Sequence, residues 1–340
     1  MKADKLSNSK IQNVFVAGAT GYIGKTVVRQ LVANGYRVTS FARSVSGING
    51  ASDKIKTASD LLGSDVRFGD VCQKESILNE GFRGDQYDAI ISCLASRTGG
   101  CNDAWKIDYQ ANKNLLDAAK RGDVKHFILL SAMCVQKPKL EFQRAKLEFE
   151  QDLIQSGLRY SIIRPTAYFK SLSGQIHSVK QGKPFIVFGN GKLTACKPIS
   201  ENDLATFIID CLNDAEKHNQ ILPIGGPGKA LTPIQQGEML FKLCKKESRF
   251  RHVPVFLFDV IIFTLNTIGY IFPAVKDKAE FARIGRYYAT ESMLILDKIT
   301  GAYSEAATPS FGSETLQDFY SRVLREGLKG QELGDHAMFN

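Results

Sequence analysis

The sequence predicts an α/β fold, a doubly wound parallel sheet with a smaller, mainly helical C-terminal subdomain. Three observations predict it. Short β-branched runs alternate with helical patterns through the first half, as in βαβ units. The first run passes directly into a glycine-rich turn and then a helix. The length of 340 residues, with 44 % hydrophobic and 10 % aromatic content, exceeds the roughly 250–300 residues at which a single core stops growing.

The elements follow in order. Residues 1–12 read as a polar tail. Apolar and β-branched runs place strands at 13–17, 37–42, 66–68, 89–92, 126–131 and 159–164. Helical spacing fills the gaps at 23–34, 74–82, 105–121 and 140–156. Together these define a first domain over 13–165. After Pro165 the regularity weakens. Residues 186–195 read as two short strands about Gly189-Asn190-Gly191. Ser200-Glu201-Asn202-Asp203 resembles a capped start for a helix at 204–212. From Ala230 onward the pattern is helices and long loops. Residues 166–340 are therefore assigned to the smaller subdomain, with some elements returning to pack on the first. No period of 20–50 residues repeats, which argues against a solenoid.

Charge narrows the function. Forty-four Lys/Arg against 35 Asp/Glu give +9, and residues 1–60 hold nine basic and three acidic residues, or +6 of it. Such an excess fits nucleic acid, a membrane surface or an anionic small molecule. There is no basic stripe with interleaved aromatics and no DNA-binding motif, so nucleic acid drops away. The seven cysteines are odd in number, scattered, and never in a CxxC pair. That argues against a disulfide scaffold, a structural zinc site and an iron–sulfur cluster. No metal is expected. The polar start is too short for a signal or transit peptide, and the expected compartment is the cytoplasm, with peripheral membrane contact left open.

The glycine turn carries the first chemistry. It reads Gly18-Ala19-Thr20-Gly21-Tyr22-Ile23-Gly24, a GxxGxxG spacing between strand and helix. Such a turn lets backbone N–H groups and a helix N-terminus face a pyrophosphate, the Rossmann-type arrangement. Gly18, Thr20, Gly21, Tyr22, Ile23 and Gly24 are the candidate contacts. The second strand ends Ser40-Phe41-Ala42-Arg43-Ser44 with no carboxylate to accept from a ribose 2′-hydroxyl. Arg43 instead suits a 2′-phosphate, so NADPH is the expected cofactor, with Lys25 either a further cation or a helix-surface lysine.

This arrangement resembles the extended and atypical short-chain dehydrogenase/reductase group, including its NmrA-like and isoflavone-reductase-like members. The resemblance implies adenine contacts at Asp70 and Val71 and ribose contacts along Leu94-Ala95-Ser96. It further implies a nicotinamide contact at Pro165-Thr166 after the sixth strand. Most of the group uses Tyr-x-x-x-Lys, in which the tyrosine protonates a carbonyl oxygen. This chain has Phe142-Gln143-Arg144-Ala145-Lys146 there, with Ser131 at the usual serine position. Phenylalanine donates no proton, so ketone–alcohol chemistry is disfavoured. Reduction of a carbon–carbon double bond, or cofactor binding without chemistry, stays open. Lys146 is a ribose anchor, a general acid or a surface lysine, and Tyr168 is a second candidate acid.

Longer strings are more specific. They include 134–138, 140–146, 164–172, 195–200, 222–233, 284–289 and 330–334. Together they closely resemble the NADPH-dependent divinyl (proto)chlorophyllide 8-vinyl reductase family, over nearly the whole chain. The resemblance implies reduction of the C8 vinyl group of divinyl chlorophyllide or protochlorophyllide to ethyl, in chlorophyll or bacteriochlorophyll synthesis. The alternative is a non-catalytic NmrA-like NADP-binding sensor or assembly factor.

A flat apolar macrocycle with a propionate needs aromatics and a cation. Phe142, Tyr168, Phe169, Lys170, Arg286 and Tyr287 are the candidate substrate contacts, with Lys197 and Tyr288 nearby in the same strings. Residues 255–272 are apolar at thirteen of 18 positions. Asp259, Asn266 and the flanking Pro254 and Pro273 oppose a spanning helix. The expectation is a buried or interfacial helix pair over the substrate pocket, with peripheral membrane contact as the other reading.

Overall fold

The computed structural model describes residues 11–45, 53–269 and 276–327. Seven parallel strands form one sheet: β1 (Asn13–Ala17), β2 (Arg37–Ala42), β3 (Asp65–Phe68), β4 (Ala89–Ser92), β5 (His126–Leu130), β6 (Arg159–Pro165) and, after the short β7 (Phe185–Phe188), β8 (Gln220–Ile224). Their order is β3-β2-β1-β4-β5-β6-β8. The order of successive strands reverses between β1 and β4, which opens a crevice at the C-terminal strand ends. Both faces of β1 are buried. Val14 and Val16 join one core, and Phe15 and Ala17 join the other. Side-chain alternation over a doubly covered sheet explains why the strand reads as an unbroken apolar run.

Helices cover the two faces. On one, α1 (Tyr22–Ala33) packs against a helix from far along the chain. On the other, a helical stretch beginning at Cys101 widens over Trp105–Ala111 into π-type turns. It then continues as α3 (Asn112–Arg121), beside α4 (Glu141–Ile154). The short α2 (Lys54–Asp60) begins at Asp53, whose carboxylate caps the Lys56 N–H. The helix against α1 is α5 (Glu201–Asp210), started by Ser200, and it puts Leu204, Ala205 and Ile208 into the same core as Val27 and Leu31.

Two strands differ from expectation. β8 contains Pro223, which reads against a strand, but it lies at the sheet edge where no partner needs the missing N–H. The second strand expected within 186–195 does not form. β7 pairs in parallel with β9 (Phe250–Val253) instead, so Gly189-Asn190-Gly191 is a turn without a hairpin.

The remaining helices build a second core. α6 (Pro233–Leu243), capped by Thr232, and α9 (Leu316–Glu326), capped by Thr315, enclose Phe169, Ile176, Val179 and Phe185. Between them α7 (Phe256–Gly269) and α8 (Lys276–Thr290) pack on each other. Among the described residues no helix is long and apolar enough to cross a membrane. The helix pair expected at 255–272 is corrected: α7 pairs with α8, most of its side chains are exposed, and 270–272 lie outside the described residues.

Candidate functional site

The residues expected to touch a dinucleotide lie at one edge of the sheet. They follow the C-terminal ends of β1, β2, β3, β4 and β6. The glycine turn is built for close approach. Gly18 has φ +75°, and a Cβ there would come 2.6 Å from the Cys93 carbonyl oxygen. A Cβ on Gly24 would come 2.1 Å from the Gly18 oxygen. Both contacts are with backbone, so neither yields. Gly21 starts α1 without a side-chain cap, and the helix N-terminus keeps N–H groups for an anion. Thr20 is half-buried in this turn, and Ile23 anchors it in the core. Arg43 is exposed just past β2, with no ion pair among the described residues. These features fit a nicotinamide dinucleotide. Lys25 is committed elsewhere, 2.6 Å from Asp60.

The third and fourth strand ends are held rigidly. The Asp70 carboxylate accepts from the Cys72 N–H at 2.9 Å, and the Ser76 hydroxyl accepts from the Asp70 N–H at 2.8 Å. The Val71 carbonyl accepts from Asn114 at 3.1 Å. Past β4, Leu94 is buried, Ala95 is exposed, and the Ser96 N–H donates to Asp108 at 3.2 Å. The same Asp108 Oδ1 lies 2.9 Å from Lys146 Nζ. Lys146 is therefore no surface lysine, since it sits buried on α4 against a fully buried carboxylate.

Ser131 donates to Glu150 Oε1 at 2.5 Å, and Arg164 forks onto the same carboxylate. The serine hydroxyl is thus turned to a buried ion pair beneath the cleft. Pro165 pairs with Ile224 across the sheet edge. The Thr166 N–H donates to Ile224 O at 2.9 Å and its hydroxyl to Lys197 O.

Beside this edge lies an apolar cluster of Met133, Cys134, Leu140, Tyr287 and Met293, with Phe142 and Ile284 packed on it. Tyr168 stands close by, its ring 6.3 Å from that of Tyr22. Burial pushes the Tyr168 hydroxyl well above its ordinary value, with the Cys93 and Cys134 thiols adding to the effect. Tyr288 places its hydroxyl 3.9 Å from Cys134 Sγ and is raised the same way. Burial also lifts Cys134. These groups keep their protons at neutral pH, and the cluster is apolar and uncharged. Tyr22 donates to Glu201 at 2.5 Å, and the Lys170 ammonium lies 5.2 Å from the centre of its ring.

Of the expected substrate contacts, Phe169 is corrected, and Arg286 and Tyr287 have partners of their own. Phe169 is fully buried against Phe319 in the second core, with ring centroids 5.4 Å apart, so it lines no cleft. Arg286 is engaged by Asp259 of α7 at 2.6 Å, which occupies one edge of its guanidinium. Tyr287 donates to Cys134 O at 2.9 Å and Lys137 O at 3.1 Å, so its hydroxyl fastens α8 to the loop after β5.

Asp108 and Glu150 were not anticipated, yet both leave a signal. Asp108, Ala111, Asn112, Leu115 and Leu116 form one helical stripe, as do Lys146, Phe149, Glu150 and Leu153. A carboxylate on an otherwise apolar stripe is a buried charge awaiting a partner. A hollow of about 870 Å³ lies at the opposite edge among Asn34, Tyr36, Arg37, Asp210 and Lys217. It touches none of these groups. Among the described residues no group of three or more His, Cys, Asp or Glu is placed to hold a metal ion.

A family model described as NAD(P)H-binding matches residues 18–215. The chloroplastic divinyl chlorophyllide a 8-vinyl-reductase of Arabidopsis thaliana is 56 % identical over 333 residues, covering 95 % of this chain and 79 % of that one. Its namesake from Cucumis sativus is 54 % identical, covering 98 % and 81 %. Among solved structures, the NADPH-dependent quinone oxidoreductase QOR2 of Escherichia coli, complexed with NADPH, matches with a TM-score of 0.66. That match covers 92 % of this chain and 99 % of that one at 16 % identity, a likeness of fold. The chain thus binds a nicotinamide cofactor. The cytoplasmic placement expected above is overturned, because both relatives are named as chloroplastic.

Proposed function

The chain belongs to the divinyl chlorophyllide a 8-vinyl-reductase family, and on that premise we propose that it reduces the C8 vinyl group of a divinyl chlorophyllide to ethyl with NADPH. The observation that carries the reading is the identity of more than half the residues with named reductases along almost the whole chain. Each turnover consumes one NADPH and one proton. NADPH, when bound, supplies the hydride.

The chain's own residues do the rest. The glycine turn and α1 hold the pyrophosphate, and Arg43 takes the 2′-phosphate, which sets NADPH above NADH. Lys146, steadied by Asp108, holds the nicotinamide ribose. Residues 13–165 carry most of the cofactor contacts, and 166–340 supply the wall of the substrate cleft. Phe142 stands where a carbonyl reductase needs tyrosine. A vinyl group presents no carbonyl oxygen, so the loss of that acid is tolerated. Phe142 and Ile284, backed by the buried Met133, offer an apolar surface to a flat macrocycle and exclude water. Tyr168 is placed to return the proton, its hydroxyl kept protonated by burial. Lys170, beside Tyr22, is the cation nearest in kind to a propionate's needs, with one edge of Arg286 occupied by Asp259.

The test uses the purified chain, NADPH and divinyl chlorophyllide. The expected result is a blue shift of the Soret band, with the monovinyl product resolved by chromatography. Folded, NADPH-binding protein that leaves the divinyl pigment unchanged overturns the reading and favours the non-catalytic alternative.

A further inference from the structure

The outer face of α7 has no use in the chemistry above, yet it is the most apolar exposed surface among the described residues. Phe256 is 60 % and Phe263 73 % exposed, and Leu257, Val260, Ile261 and Ile268 share the surface. So much aromatic and aliphatic side chain in water is costly and marks an interaction site.

The polar residues of this helix are the second observation. It has four: Asp259, Thr264, Asn266 and Thr267. Each has a partner within the chain. Asp259 is paired with Arg286 at 2.6 Å, and the Asn266 carbonyl accepts from Arg283 at 2.8 Å. Thr264 donates to Val260 O at 2.8 Å, and Thr267 to Phe263 O at 2.9 Å. A helix whose polar side chains each have a partner in the chain loses less on entering a medium poor in hydrogen bonds.

Charge supplies the third. Between 242 and 254, leading into α7, stand Lys242, Lys245, Lys246, Arg249 and Arg251 against the single acid Glu247. Arg249 and Arg251 are exposed. Lys192 adds to this rim, exposed on the turn whose Gly189 lies against Val255. An apolar helix with a basic rim is the pattern of helices that lie in the headgroup region of anionic membranes.

We propose that α7 docks the protein on an anionic lipid surface, lying in the interface with Phe256 and Phe263 inserted. Its 14 residues reach about 21 Å at about 1.5 Å each, short of the roughly 30 Å apolar layer, so it lies on the bilayer and does not span it. A second copy of the chain fits less well. A two-fold interface through this face would set one basic rim near its twin. The partner helix α8 meets the substrate-side cluster through Ile284 and Tyr287. If the proposed function holds, docking brings the cleft mouth to the layer in which an amphipathic pigment resides.

The experiment is flotation of the full chain, loaded with NADPH, with phosphatidylcholine vesicles with and without phosphatidylglycerol. The expected result is binding to the mixed vesicles and weakening by salt. Phe256→Ser/Phe263→Ser should lower vesicle affinity about a hundred-fold, since each buried phenylalanine is worth about tenfold or more. Arg249→Glu/Arg251→Glu should abolish the preference for anionic lipid. Melting temperature and NADPH affinity should not change in either variant, and turnover of detergent-dispersed substrate should also be kept. Two flotation results overturn the proposal: folded wild-type chain that binds no vesicle, or phenylalanine variants that bind as well as wild type. A dimer in size-exclusion chromatography that the same variants dissociate also overturns it, by making a second copy the occupant. Flotation is read without turnover, so its outcome stands apart from that of the vinyl-reduction assay.

Discussion

Replacing Lys146 with methionine tests the role of the buried pair directly. Its ammonium lies 2.9 Å from Asp108 Oδ1, with side-chain exposures of 10 % and 0 %. Asp108 keeps only the Ser96 N–H at 3.2 Å on that oxygen, and its Oδ2 has no hydrogen-bond partner among the described residues. Removing the ammonium therefore leaves a carboxylate buried with almost nothing to balance it. Breaking such a pair from one side costs about 3–5 kcal/mol, whereas losing an exposed ion pair costs about 0.2–1 kcal/mol. The expected loss for Lys146→Met without cofactor is about 3–5 kcal/mol. At about 1.4 °C per kcal/mol for a chain of this length, the melting temperature falls by at least about 4 °C. Urea unfolding at neutral pH measures it. Asp108→Asn/Lys146→Met removes the stranded charge and should recover most of the loss, while NADPH affinity stays low in both. A loss below about 1 kcal/mol, or a double variant no more stable than the single one, refutes the account.

Two further outcomes are expected. Arg43→Ala should raise the NADPH dissociation constant about 10–100-fold, the worth of a charge-assisted hydrogen bond, and leave NADH nearly untouched; equal losses for both cofactors in fluorescence titrations would remove Arg43 from the phosphate site. His126 is pulled from its usual 6.5 down to about 3, by burial first and then by the neighbouring His218 and Arg159. Its folded pKa lies below the unfolded one, so its contribution is complete above about pH 6.5 and is lost as pH falls toward 3. Urea midpoints should drop over that window by at most about 1.4 kcal/mol per pH unit from this group. A His126→Gln variant with the same acid slope would show that the slope arises elsewhere.

The parallel sheet was legible because its strands are covered on both faces and so read as solid apolar runs between helices. The glycine turn was legible for a different reason, since its position between strand and helix leaves few other uses. β8 was hidden by Pro223, which is tolerated only because that strand is last in the sheet. β7 seemed to belong to a hairpin, and its partner β9 comes more than sixty residues later, a distance no local pattern reports. Aromatic and basic residues near the cleft were the least legible. Tyr287, Arg286 and Phe169 have the right chemistry for a macrocycle, but packing spends it on Lys137 O, Asp259 and Phe319. Composition along the chain says which groups are available, and only the fold says which are already engaged.

The contact between α1 and α5 has a consequence for how the protein is made. When residue 165 has left the ribosome, the glycine turn and six strands of the main sheet are present. The face of α1 bearing Val27 and Leu31 still lacks Leu204, Ala205 and Ile208, its cover in the finished core. β6 also awaits β8, whose Ile224 carbonyl receives the Thr166 N–H. About sixty more residues must be synthesised, and at about 5–20 residues per second that takes several seconds. During that interval the nascent chain carries a nearly complete cofactor edge over an open apolar flank. A chaperone acting on this protein has that flank to protect, and the sensitive moment of its biogenesis comes in mid-translation.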